Sequence, residues 1–378
     1  MRVVVDYRPA LRARSGVGEY VHQTARAFAQ QYPADSLTLF TSSWKDRPPP
    51  SLAEGWPGAL VSDHRVPVAL LNFAWHRFER PSIEFLTHAR YDVAFSPHPL
   101  LLPARGAAQI VMVHDLDFLR HPERTEREIR RDYPRLAGAH ARRAARVVVP
   151  SPYTAREVVR QLGVPEFRVA VCPPGIPEWR ESPGPAEDGY LLFMGTLEPR
   201  KNIDGLLEAY GRLLARCTAP PKLVLAGSAG PEAQKWLEAI RRPPLARQVE
   251  HIGYVREEDR QGVYAGARAL VMPSHEEGFG MPALEAMSLG IPVIASRRGN
   301  LPDLVGEAGV LVEPDDVESI VDAMERLLRD DGLTAMLGAR ARERARDFHW
   351  RRTAQALREV FADVVREREA KPGTFERL

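Results

Sequence analysis

The stretch HEEGFGMPALEAM, residues 275–287, holds two glutamates, Glu277 and Glu285, around Gly278, Gly280 and Pro282. Pro282 suits the first turn of a helix. The two glycines free the backbone ahead of it to turn N–H groups toward a ligand. Glu277 then falls in a loop, and Glu285 about one turn into the helix that follows. Carboxylates so placed accept hydrogen bonds from neutral hydroxyls, as a sugar or ribose requires, while N–H groups at the helix start address phosphate. Acids that complement a helix N-terminus explain Glu285 but not the glycines.

A second stretch, GTLEPRKNIDGLLEAY from Gly195 to Tyr210, sets Arg200 and Lys201 side by side just ahead of a helix capped by Asn202 or Asp204. Cations are the wrong sign for that position. A bound diphosphate supplies the missing charge, with arginine bridging its oxygens; a solvated basic loop is the alternative. His114 heads the triplet Asp115-Leu116-Asp117. It is read either as a core histidine satisfied by hydrogen bonds or as a group reaching a substrate hydroxyl, with Asp115 fixing its tautomer. Gly16-Val17-Gly18 precedes a helix and lets backbone approach an anion. As a dinucleotide fingerprint it fails, because Val21 stands where a third glycine belongs.

Short β-branched runs and longer amphipathic stretches alternate around these residues. Strands are expected at 3–5, 37–40, 93–95, 110–113, 147–149 and 169–171, then at 190–194, 222–226, 249–252, 269–272, 292–295 and 310–312. Helices are expected at 20–30, 204–215, 233–241, 256–266, 318–330 and 333–345. Residues 178–188, EWRESPGPAED, have the composition of an interdomain linker. Two alternating series mean two doubly wound parallel-sheet domains, with ligands beyond the carboxyl ends of the strands and a cleft between the domains as the default site.

The 378 residues suffice for two such cores, and a net charge of +2 gives no sign of a general nucleic-acid binder. The stretch from Arg120 to Arg160 is rich in arginine, read as solvated helix faces or as a basic surface for a membrane or anionic acceptor. Cys172 and Cys217 are the only cysteines, which excludes a disulfide framework and a cysteine-based zinc site. The apolar run at the N-terminus is too short for a signal peptide, and no run is long enough to span a bilayer. A cytoplasmic protein is expected, with any membrane contact peripheral.

Taken together, SGVGEY, VHDLDFLRHPE, PSPYTAREVVRQLGVP, GTLEPRKN, LVLAGSAG, HIGYV, PSHEEGFGMPALEAMSLGIPVIAS and FHWRRTAQAL resemble glycosyltransferase family 4 across nearly the whole chain. The resemblance implies the GT-B fold, two Rossmann-like domains facing across a cleft. It implies an acceptor-binding domain at 1–180, a donor-binding domain at 188–354, and a terminal helix from about 355 to 378 returning to the first domain. It casts Glu277 as the partner of donor-sugar hydroxyls and Glu285 as the holder of the ribose. Arg200 and Lys201 stabilise the departing diphosphate, which Gly16 approaches through its backbone, and His114 contacts the sugar near its anomeric carbon. Gly195, Phe279, Gly280 and Met281 line the donor, and Tyr254 and Val255 lie where the base is held. The adjacent Arg200–Lys201 pair and the single-glycine start of SGVG depart from the family pattern.

The implied reaction is retaining transfer of a hexose from a nucleoside diphosphate sugar, without metal or other cofactor, to a hydroxyl. DYRP, SGVGEY and GTLEPRKN are most similar to the mannosyl- and rhamnosyl-transferring branch, which favours mannose and GDP-mannose. The expected acceptor is a glycan or polyprenol-linked glycan of surface polysaccharide synthesis, met near residues 75–77 or the arginine-rich helices. A sugar-nucleotide epimerase or hydrolase, or a non-catalytic nucleotide-sugar-binding protein, are the competing readings.

Overall fold

A computed structural model describes residues 1–11, 14, 16–124, 127–180, 182 and 184–370, with the side chains of 124 and 127–129 outside that description. The chain divides into two compact units, Met1–Gly175 together with the chain from His349 onward, and Ile176–Phe348.

The first unit is built on strands β1 (Arg2–Asp6), β2 (Ser36–Ser42), β3 (Ala59–His64), β4 (Val93–Ser96), β5 (Ala108–Met112), β6 (Arg146–Val149) and β7 (Val169–Val171). Their order is β3-β2-β1-β4-β5-β6-β7, all parallel. Val3, Val4, Val93, Ala94, Val147, Val148 and Val149 are fully buried, as strands covered on both faces must be, so the central strands are continuous apolar runs. Strand β3, ALVSDH, was not expected from sequence. It is an edge strand whose residues stay at least partly exposed, so it needs no apolar run to fold.

The second unit repeats the scheme with β8 (Tyr190–Met194), β9 (Leu223–Ala226), β10 (Val249–Gly253), β11 (Ala267–Met272), β12 (Val293–Ser296) and β13 (Gly309–Val312). The order is β10-β9-β8-β11-β12-β13, again all parallel. In each sheet the order reverses beside the first strand, between β1 and β4 and between β8 and β11. Such reversals open a crevice at the carboxyl ends of the strands. Within each unit this is the Rossmann-like arrangement.

The terminal helix, Trp350–Ala370, lies against the helix Gly16–Gln31 in the first unit. Phe361 sits between Phe28 (ring centroids 6.1 Å apart) and Phe95 (5.6 Å). Arg358 bonds Asp35 at 2.7 Å, and Thr353 Oγ1 donates to the Pro173 carbonyl at 2.6 Å. A Cβ on Gly175 would stand 2.1 Å from Trp350 N, so the chain leaving this unit and the chain re-entering it pass backbone to backbone. The division thus falls at 175 and 349 rather than at the 180–188 and 354–355 that the resemblance implied. The last part of the expected terminal helix, 371–378, lies outside the described residues.

Two expectations change, and one open choice narrows. The described residues of 178–188, namely 178–180, 182 and 184–188, do not form a free linker but pack within the second unit. Trp179 meets the Tyr264 ring at 5.6 Å, Gln261 donates to the Arg180 carbonyl, and Ala186 N bonds Ala267 O. Proline, glycine and charge there mark an irregular path that still finds backbone partners. In the helix Val68–Phe78, Trp75 is buried beneath the Arg8 guanidinium (4.6 Å) and His76 is held by Asp132 at 2.8 Å, so of the segment 75–77 only Arg77 faces outward. Within the arginine-rich stretch, Arg120 and Arg160 meet Glu157, Arg131 meets Asp132, and Arg143 meets Glu79, which is the paired-face reading. Residues 125–126 of that stretch lie outside the described residues. Among the described residues no helix is long and apolar enough to cross a membrane.

Phe361 tests what holds the terminal helix. Phe361→Ala removes a fully buried ring and should lower the unfolding free energy of the full chain by about 3 kcal/mol in urea denaturation. A loss under about 1 kcal/mol would mean that this helix is not anchored by that ring.

Candidate active site

The site in the second unit begins where β8 ends. Gly195 turns away at a φ of +150°, and the chain runs to a short 3-10 turn, Pro199–Lys201. Asn202 follows in the left-handed region and caps the helix Ile203–Arg216, its Oδ1 accepting from Gly205 N at 3.2 Å. Its amide also reaches the Pro314 carbonyl beyond β13 at 2.7 Å. The cap is therefore Asn202, while Asp204 accepts from the Trp236 indole at 2.8 Å. The capped turn projects Arg200 and Lys201 across the end of β11.

There they meet the segment that follows β11. His275 N donates to the Arg200 carbonyl at 2.8 Å, and Arg200 Nη1 donates to the Glu276 carbonyl at 2.8 Å. Lys201 Nζ contacts Glu277 Oε1 directly, and Arg200 Nη1 lies 3.4 Å from Glu277 Oε2. Arg200 also pairs with Glu198 at 2.8 Å. Lys201 and Glu277 are both buried. Burial pushes the Glu277 carboxyl up, but the charges of Lys201 and Arg200 outweigh it and hold it below the ordinary carboxylate range. The sequence led us to expect uncompensated cations awaiting a diphosphate. The protein instead balances much of their charge with its own carboxylates, and so fixes their direction.

Glu285 lies in the helix Met281–Ser288 and is likewise buried. Arg260 Nη1 donates to its Oε1 at 3.0 Å and the Tyr264 hydroxyl to its Oε2 at 2.8 Å. Burial, and then the Glu285 charge, raise the Tyr264 pKa well above the usual phenol value, so the hydroxyl remains a donor. Both carboxylate oxygens are thus oriented by fixed donors. Arg260 and Tyr264 were missed from sequence. Their four-residue spacing on the helix Glu257–Ala265 puts them on one face, but nothing local says that the face meets Glu285.

A second missed feature is the turn after β12. Gly299 adopts φ +61°, and a Cβ there would stand 2.3 Å from the Glu277 carbonyl oxygen. Asn300 N donates to that same oxygen at 2.9 Å, and Asn300 Nδ2 donates to the Phe279 carbonyl at 3.0 Å. Gly299-Asn300 therefore straps the Glu277–Phe279 loop from behind. Gly280, at φ +100°, starts the helix in close contact with Leu301. Phe279 and Val255 are buried in the same apolar cluster, so they offer a ligand backbone rather than side chains; Met281 is half-buried and Tyr254 exposed.

Gly16 and His114 belong to the first unit. Gly16 is exposed at the first residue of its helix, and Ser15 before it lies outside the described residues. His114 packs edge-on against Tyr20 at 5.6 Å, and its Nε2 sits 3.0 Å from the Pro97 carbonyl. A carbonyl only accepts, so Nε2 carries the proton and Nδ1 is the acceptor. Loss of hydration pushes the imidazole pKa down to about 4, against the raising effect of the Pro97 bond, so the ring is neutral at pH 7. Asp115 Oδ1 accepts from Asp117 N at 3.2 Å, a local turn that employs this Asp-Leu-Asp triplet structurally.

Gly299→Ala should force the Glu277 loop to shift. We expect turnover to fall by about 100-fold, as a misplacement of about 1 Å at a reacting centre does. Gly262→Ala, where nothing lies within 4 Å, should leave activity unchanged. Equal activity of both variants would remove the strap from the site.

Comparison with known proteins bears on what this arrangement does. Residues 14–180 match the family model "Glycosyltransferase Family 4", and residues 175–344 match "Glycosyl transferases group 1". The O-antigen chain mannosyltransferase B of Escherichia coli is 28% identical over 93% of this chain and 96% of its own. The D-inositol 3-phosphate glycosyltransferase of Saccharomonospora viridis is 28% identical over 95% and 91%. Among solved structures, a sucrose-phosphate synthase from Thermosynechococcus elongatus superposes with a TM-score of 0.79 at 21% identity, covering 97% of this chain and 99% of that one. With Rossmann-like parallel sheets in both units and family matches that together run from residue 14 to residue 344, the chain belongs to the family 4 glycosyltransferases of GT-B fold.

Proposed function

We propose that this glycosyltransferase moves mannose from GDP-mannose to a hydroxyl of a glycan or lipid-linked glycan in surface polysaccharide synthesis, at the cytoplasmic face of a membrane. The near full-length match to an O-antigen chain mannosyltransferase carries the choice of sugar and pathway. The buried Lys201–Glu277–Arg200 cluster supports the roles within the second unit.

In this reading the bond from the anomeric carbon to the diphosphate breaks as the acceptor oxygen bonds on the same face, and the acceptor proton passes to the departing phosphate oxygen. Charge gathers on that phosphate, where Arg200 and Lys201 stabilise it electrostatically, with no step assigned to a metal. Glu277, held ionised between two cations, is a weak base and a poor nucleophile, which supports a role in accepting sugar hydroxyls rather than in forming a covalent intermediate. Glu285, oriented by Arg260 and Tyr264, receives the ribose hydroxyls. Backbone groups of Gly195, Phe279, Gly280 and Met281 line the diphosphate and sugar, and Tyr254 and Val255 the base. For His114 we propose a neutral hydrogen-bonding role with Nδ1 as acceptor, and for Gly16 close backbone approach to an anion.

GDP-mannose should raise the melting temperature, and UDP-glucose should do so less. Arg200→Ala should lower kcat by about 100-fold or more, and the product formed with a mannose-terminated acceptor should keep the donor's anomeric configuration by NMR. Stabilisation by UDP-glucose alone would overturn the donor, and an inverted product the mechanism. Free mannose released equally fast without acceptor would favour a hydrolase.

A further inference from the structure

The helix Val68–Phe78 and the helix Ile83–Thr87 carry large apolar side chains into solvent. Leu70, Phe73, Phe78 and Phe85 are 59%, 52%, 62% and 69% exposed. Leu70, Phe73 and Arg77 follow helical spacing on the face opposite the buried Leu71 and Trp75, and the Phe73 and Phe78 rings meet at 6.0 Å. Phe78 then adjoins a hollow shared with Arg80 and Arg105, and Arg105 joins it to a second hollow lined by Glu84 and Arg90. Apolar clusters of this kind on a soluble chain mark an interaction surface.

Cations outnumber uncommitted acids on this face. Arg77, Arg80, Arg90 and Arg105 are exposed, and among the described residues none of their guanidinium groups meets a carboxylate. Of the four acids that line the hollows, Asp92 is held by Arg2, Glu369 stands exposed at the rim, and the other two are also engaged. Glu79 is held by Arg143 through both oxygens, and Glu84 accepts from the backbone N–H groups of Arg105, Gly106 and Ala107. The other arginine-rich stretch of this unit differs, because its cations are matched by Glu157, Asp132 and Glu79.

We propose that this face of the first unit docks on an anionic lipid bilayer. Leu70, Phe73, Phe78 and Phe85 enter the boundary between headgroups and acyl chains, and the four unpaired arginines meet lipid phosphates. A protein partner of ordinary surface composition does not call for such an excess of positive charge around exposed phenylalanines. The surface deepens the reading of a lipid-linked acceptor, but its own binding needs neither donor nor turnover.

Vesicle co-sedimentation of the full chain tests it. The chain should sediment with phosphatidylcholine vesicles containing phosphatidylglycerol, weakly with pure phosphatidylcholine, and less at high salt. Phe73→Ser with Phe78→Ser, and separately Arg80→Gln with Arg105→Gln, should each lower partitioning at least ten-fold at unchanged melting temperature. Transfer to a soluble acceptor should be unaffected, so failure of the proposed reaction and failure of this surface read out separately. Absence of binding to the anionic vesicles, or equal binding by the variants, would overturn the proposal. So would a lipid-independent dimer, seen by sedimentation velocity, that the phenylalanine substitutions abolish.

Discussion

A carboxylate and an ammonium buried in contact cannot be treated as separate groups, and Glu277 and Lys201 are such a pair. Either one left alone would be an uncompensated charge out of water, at a cost of several kcal/mol. Together with Arg200 they tie the end of β8 to the loop after β11, and the backbone bonds His275–Arg200 and Arg200–Glu276 run alongside. The other strand ends are arranged around that tie. Asn202 reaches past β13, Ser296 Oγ donates to the Ser274 carbonyl at 2.6 Å, and Asn300 holds the loop from β12.

The consequence for chemistry is preorganisation. In the proposed reaction the cations stabilise a leaving diphosphate, and they do the most when they need not move to do so. Glu198 and Glu277 hold the Arg200 side chain, and the Asn202 cap holds the turn that carries it. At the proposed ribose contact Arg260 and Tyr264 orient Glu285 in the same manner. Each carboxylate is thereby held in one orientation by donors from neighbouring elements.

Much of this was legible in the sequence, for a physical reason. Strands covered on both faces must be continuous apolar runs, so VVV at 3–5 and at 147–149 identify themselves, and the residues after them are where a parallel sheet presents its ligands. Glu277 and the Arg200–Lys201 pair stood out because glycine, proline and misplaced charge are local signals. What stayed hidden is non-local. Arg260 and Tyr264 read as ordinary helix residues until the fold sets Glu285 against them, and Gly299-Asn300 reads as a plain turn. Strand β3 lacked a core face to announce it, and Trp179, in a stretch of linker composition, packs on Tyr264. Residues 75–77 were read as an acceptor contact, and only the structure separates the buried Trp75 ring from the exposed phenylalanines beside it.

The central claim is that Glu277 and Lys201 act as one buried unit that shapes the donor site. A double-mutant cycle in urea unfolding, with Lys201→Met, Glu277→Gln and both together, measures it. Each single substitution should cost about 3 kcal/mol or more, and the double should recover most of that while GDP-mannose binding stays lost in calorimetry. Costs that simply add, or a single variant that binds donor as the unmodified chain does, would contradict the account.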